Sequence, residues 1–134
     1  MASVRKDIRL AASPDEAWDA LRDYGSVHER VAPGFVVDAR LQGHDRVLTF
    51  ASGTQARERL VTVDDERRRL VYTVVEGALG ATHHQASVEV MEDDAGSSGC
   101  RLVWTTDVLP DHLAVAIDGL MDQGAAAMAR ALSR

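Results

Sequence analysis

A single cysteine, Cys100, rules out an internal disulfide and any cysteine-rich metal site. Lysine is as scarce: Lys6 stands alone against fourteen arginines, a codon bias that hints at a GC-rich coding sequence and says nothing of function. No apolar run approaches the roughly 18 residues of a membrane span. Residues 1–10 alternate charged and aliphatic side chains and have no apolar export segment. Neither export nor membrane insertion is expected, and the cytoplasm is the plain location. A continuous positive surface is missing too: net charge is −6, and Arg5, Arg9, Arg22, Arg30, Arg40, Arg57 and Arg101 are scattered. Nucleic acid is therefore not an expected partner. The one basic run, Arg67-Arg68-Arg69, is balanced by Asp64, Asp65 and Glu66 and reads as a solvated hairpin end.

Motifs for several chemistries are also absent. There is no G-x-S-x-G, and Cys100 opens a strand with no base predicted beside it. Gly77-Ala78-Leu79-Gly80 lacks the lysine and the following helix of a phosphate loop, and reads as a cavity-edge loop. His83 and His84 are neighbours, so on a strand they point to opposite faces, while His28, His44 and His112 fall in separate segments. No metal and no cofactor are expected.

What is present is strong patterning. With 134 residues, 46% of them hydrophobic, the chain suits one domain over 1–134. Val4, Ile8 and Leu10 alternate with Arg5, Asp7 and Arg9, predicting a strand over 4–10. Ser13-Pro14-Asp15-Glu16 is a capping box with proline at the first helical position, and Ala17, Trp18 and Leu21 face inward from the helix it starts. Gly25 ends that helix. Ser26 and Glu29 repeat the capping spacing for a second, short helix that Pro33-Gly34 stops. Six strands follow, at about 34–42, 46–52, 55–64, 68–76, 82–93 and 99–108, joined by short turns as an antiparallel meander. The polar stretch 92–99 reads as a flexible hairpin loop. From Pro110-Asp111 a long amphipathic helix runs onward, with Leu113, Ile117, Leu120, Met121, Met128 and Leu132 inward and Asp118, Asp122 and Arg130 outward.

Parity suggests a concave, ligand-sized face. Ala56, Glu58, Leu60 and Thr62 share one side of their strand, as do Leu70, Tyr72, Val74 and Glu76, and His84, Ala86, Val88 and Val90. Val61, Val63 and Val75 break the rule that odd positions face solvent. Phe35, Val37, Leu48 and Phe50 are expected to line the same cavity, closed by Ile117 and Met121 of the last helix. The ligand-binding set is thus Phe35, Phe50, Leu60, Val74, Ala86, Ile117 and Met121. Within it Glu58 is the sharpest residue, because a carboxylate on an apolar face must be paired or shifted in pKa. It is either a ligand or acid/base group, or a carboxylate near the mouth meeting Arg40 or water. His84 is a candidate general base with a satisfied strand histidine as its rival, and Tyr72 is a proton donor or core aromatic. Trp18, Tyr24 and Trp104 read as core.

The order β-α-α-β-β-β-β-β-β-α resembles the helix-grip fold of the START-like (SRPBCC) superfamily, over nearly the whole chain. That superfamily includes bacterial polyketide cyclase/dehydrase-like proteins, the birch pollen allergen family and the plant abscisic-acid receptors. The Ser52-Gly53 turn, then Glu58-Arg59-Leu60, Val63-Asp64-Asp65-Glu66, Val74-Val75-Glu76-Gly77 and Ala86-Ser87-Val88, looks like the core of those receptors in order and spacing. In them the glutamate matching Glu58 lies in the ligand pocket, and a tyrosine stands where His84 is. The receptors' gate and latch sequences are missing, since Thr54-Gln55 follows Gly53 and the latch position reads Leu79-Gly80-Ala81. Their lysine that meets the hormone carboxylate is replaced at about Val31. Hormone sensing is not implied. The resemblance implies an α+β fold: a seven-stranded antiparallel sheet wrapped around a long C-terminal helix, with two short helices after strand one. It also implies a small hydrophobic or aromatic molecule as partner, and a monomer or homodimer. The expected function is either cyclisation/dehydration of a polyketide-like substrate or non-catalytic binding, carriage or sensing. A purely structural module would need a filled interior.

Overall fold

In the computed structural model, residues 2–93 and 98–133 are described. The chain runs β1 (Ala2–Leu10), α1 (Pro14–Arg22), a 3-10 turn (Tyr24–Ser26), α2 (Val27–Arg30), β2 (Val36–Gln42), β3 (Asp45–Phe50), β4 (Gln55–Asp64), β5 (Arg69–Glu76), β6 (His83–Glu92), β7 (Cys100–Leu109), a second 3-10 turn (Asp111–Leu113) and α3 (Ala114–Ala131). All seven strands form one antiparallel sheet in the order β1-β7-β6-β5-β4-β3-β2. Strand one therefore pairs with strand seven, and the rest is a meander. The polar loop predicted over 92–99 includes 94–97, which lie outside the described residues.

Local chemistry accounts for most of the elements. Ser13 accepts from the Glu16 amide at 3.2 Å while the Glu16 carboxylate accepts from the Ser13 amide at 3.1 Å, so both halves of the capping box form. The spacing repeated at Ser26 is not a cap: its side chain makes no such bond, because the chain enters α2 from a 3-10 turn. The long helix begins at Ala114 rather than at 110–111, since a 3-10 turn takes up Asp111–Leu113.

The charged hairpin end is tied to the first helix. Asp65 accepts from Trp18 Nε1 and from Arg22 Nε, each at 2.9 Å, and Arg68 pairs with Asp15. On the other side, Lys6 of β1 reaches Asp118 at 2.6 Å and Asp122 at 2.8 Å on α3, clipping the long helix to the sheet edge.

Three register shifts curl the sheet and redirect side chains. On β4, Val61 and Thr62 together oppose Val71, so Leu60 and Val63, three residues apart, both pack on the core. This explains why Val63 breaks the alternation. A second shift leaves Val75 between the pairs Glu58–Val74 and Arg57–Glu76. The third, between Val36 and Asp38, corrects the expectation for Val37: that side chain is 53% exposed, and Val36 is buried in its place. Leu120, expected inward, is also partly exposed.

Candidate functional site

Between the curled sheet and α3 lies a cavity of about 610 Å³. Its wall includes Phe35, Val36, Leu48, Phe50, Val74 and Trp104 from the sheet side and Ile117, Leu120 and Met121 from the helix. Residues 51–54, between β3 and β4, and 77–81, between β5 and β6, form its rim at one end of the sheet. Gly53 and Gly80, in these two turns, have φ of +90° and +69°, a backbone region open to glycine.

Glu58, His84 and Tyr72 all contribute to this wall. So do Phe35, Phe50, Val74, Ile117 and Met121 of the ligand-binding set. Leu60 and Ala86 do not: Leu60 packs against the core, and Ala86 is buried within it.

Two lateral rows carry the polar groups. Register pairs Leu60 with Tyr72, Tyr72 with Ala86, and Ala86 with Thr106. One step beyond the Thr73–Gln85 pair, the next row runs Glu58, Val74, His84, Val108. Glu58 and His84 are thus separated by one strand, about 10 Å at the backbone, with the apolar Val74 between them.

The ion-pair partner of Glu58 is Arg46 rather than Arg40. Arg46 donates to Glu58 Oε1 through Nε at 3.0 Å, and its Nη2 stands 2.9 Å from the same oxygen in the ion pair. The same guanidinium donates to the Tyr24 carbonyl at 3.2 Å and lies 3.9 Å over the Tyr24 ring. Tyr24 in turn donates its hydroxyl to the Glu58 carbonyl at 2.9 Å. Glu58 is only 6% exposed, and burial raises its pKa, while the Arg46 charge and hydrogen bonds pull it back. Arg46 went unnoticed in the sequence although it shares parity with Leu48 and Phe50 on β3. That alternation was the available signal.

The other groups are kept neutral. Burial is the main cause that raises the Tyr72 phenol, and its oxygen lies 3.3 Å from Trp104 Nε1, which donates to it. Burial likewise lowers the His84 pKa from its ordinary 6.5, with His83 adding to the effect. A histidine with a depressed folded pKa leaves the unfolded chain holding more protons once pH falls below about 6.5, so stability drops as the medium is acidified. Melting temperatures between pH 7.5 and 5 (~0.5-unit steps) are therefore expected to fall less steeply for His84→Gln than for the native chain. Equal slopes would remove His84 as a half-buried imidazole held neutral by its surroundings.

Among the described residues no group of three or more His, Cys, Asp or Glu is placed to hold a metal ion. Nor is any described helix long and apolar enough to cross a membrane.

No curated protein matches the chain in sequence. Solved structures do match in fold. The protein XoxI of Bacillus cereus is 20% identical with a TM-score of 0.86, covering 98% of this chain and 96% of that one. A Thermobifida fusca protein is 29% identical with a TM-score of 0.80, covering 99% and 91%. Norcoclaurine synthase of Thalictrum flavum, in complex with dopamine and hydroxybenzaldehyde, is 22% identical with a TM-score of 0.71, covering 98% and 84%. The sequence itself matches the family described as polyketide cyclase / dehydrase and lipid transport over residues 1–133. With that match and a helix-grip architecture throughout, the chain belongs to the polyketide cyclase/dehydrase and lipid transport family of the START-like (SRPBCC) superfamily.

Proposed function

We propose that this protein binds one small, mostly apolar, aromatic molecule in the cavity and moves protons on it, in chemistry of the cyclase/dehydratase type. The observation that carries this reading is a buried carboxylate, Glu58, in the wall of an otherwise apolar hollow of about 610 Å³. That volume falls in the range of roughly 300–1,000 Å³ usual for small-ligand sites, and an unfilled interior argues against a purely structural module. The norcoclaurine synthase complex holds two small aromatic molecules in a similar fold.

In this reading the His84 imidazole, neutral because of its burial, takes a proton from the carbon next to a ligand carbonyl. The Tyr72 hydroxyl, whose oxygen already accepts from Trp104, gives its own hydrogen to the carbonyl oxygen as negative charge develops there. Glu58, held by Arg46 through one oxygen, offers the other as acceptor for a ligand hydroxyl. A planar ring laid over Val74 has His84 at one side and Glu58 at the other.

A second reading, non-catalytic binding or carriage, is favoured by the Arg46–Glu58 pair. A carboxylate already held by a guanidinium is fixed in place to orient a ligand hydroxyl without moving a proton. Native mass spectrometry of the purified protein, then affinity for the ligand so identified in Glu58→Gln and His84→Ala, tests the site. Each variant is expected to lose about tenfold in affinity, the scale of one hydrogen bond to a charged or buried group. Turnover lost in His84→Ala with binding retained would favour the enzyme. Native affinity in both variants would sink the assignment.

A further inference from the structure

Thr106 has no counterpart in the sequence reading, yet it is the most deeply buried polar residue of the cavity wall. It is 2% exposed, lies on β7 opposite Ala86, and lines the cavity. A hydroxyl on an apolar wall is favourable only where something polar can meet it, so a position like this is ordinarily occupied by valine. Val88 and Val90 of β6 and Val108 of β7 are examples in the same sheet.

Tyr72 is brought toward the same place. Its backbone lies two strands from Thr106 in one row, with only the Ala86 methyl between them. Its hydroxyl crosses that gap to meet Trp104, which precedes Thr106 by two residues on the same face of β7. With its oxygen engaged by the indole N–H, the Tyr72 hydrogen remains to be given. Both side chains line the cavity.

We infer that Thr106 and Tyr72 form a seat for an oxygen substituent of the ligand, a phenolic hydroxyl or a ring ketone, and that Thr106 sets the preference for oxygenated over plain aromatic rings. This deepens the binding reading above and rests on it.

Naphthalene and 2-naphthol, which differ by one hydroxyl, probe the seat directly when titrated into the native protein and followed by NMR chemical shift. The native chain is expected to prefer 2-naphthol by about five- to tenfold, the scale of one net hydrogen bond in a buried site. In Thr106→Val, of nearly the same shape, the ratio of the two affinities is expected to fall to about one to two. Thr106→Ser, which keeps the hydroxyl, is expected to restore it. A ratio that survives Thr106→Val overturns the inference while leaving the cavity reading intact. Failure of both probes to bind the native chain overturns both.

Discussion

Replacing Glu58 with leucine is expected to lower the stability of the fold by about 3–5 kcal/mol, read from urea unfolding. The loss comes less from the carboxylate than from what it leaves behind. The Arg46 side chain is 8% exposed, and its guanidinium is satisfied by Glu58 Oε1 and by the Tyr24 carbonyl. Remove the carboxylate and a buried positive charge keeps one neutral acceptor and an aromatic face. Converting the partner as well, in Glu58→Leu with Arg46→Met, is expected to recover most of the loss, because apolar side chains of similar volume replace a buried ion pair with little penalty. The double variant is also expected to lose any preference for ligands that donate a hydrogen bond. A near-neutral Glu58→Leu would mean that water reaches the pair and that the inner end of the cavity is wet.

Trp104→Ala is the second large effect, at about 3–5 kcal/mol. The indole is buried on β7 and packs so closely on α3 that a Cβ at Gly124 would sit 3.0 Å from its ring. Its Nε1 donates to Tyr72. Truncation therefore removes the surface on which the long helix rests, orphans the tyrosine oxygen and joins new space to the cavity. Unfolding experiments measure the first consequence. Binding of a ring system larger by one fused ring than the native ligand measures the last, and such a ligand is expected to gain affinity relative to the native one. A loss below about 1 kcal/mol would show that α3 closes the gap by itself and that Trp104 does not set its distance from the sheet.

How much of this was legible beforehand depends on how local the cause is. The helix start at Ser13 was readable because a capping box is complete within four residues. That Glu58 turns inward followed from period-two alternation along an uninterrupted stretch of β4. Val37 was misplaced because the shift beside it depends on how β2 pairs with β3, and parity cannot be carried across a bulge. Val63 looked like an exception for the same reason. Arg46 shows a different limit: its alternation pointed inward, but arginine is so seldom buried that chemistry outweighed pattern. Only the cross-strand meeting with Glu58, twelve residues later, supplies the reason for its burial. Thr106 was hidden by its modesty, since a threonine in a strand is ordinary until it is found buried in the wall of a cavity.

The glycine-bearing turns that rim the cavity and the ion pairs that bind Asp65 and Arg68 to the first helix lie at opposite ends of the sheet. Anchoring contacts and cavity rim are thereby kept apart, so substitutions in the rim turns can reshape the hollow without loosening the end of the sheet that holds the first helix.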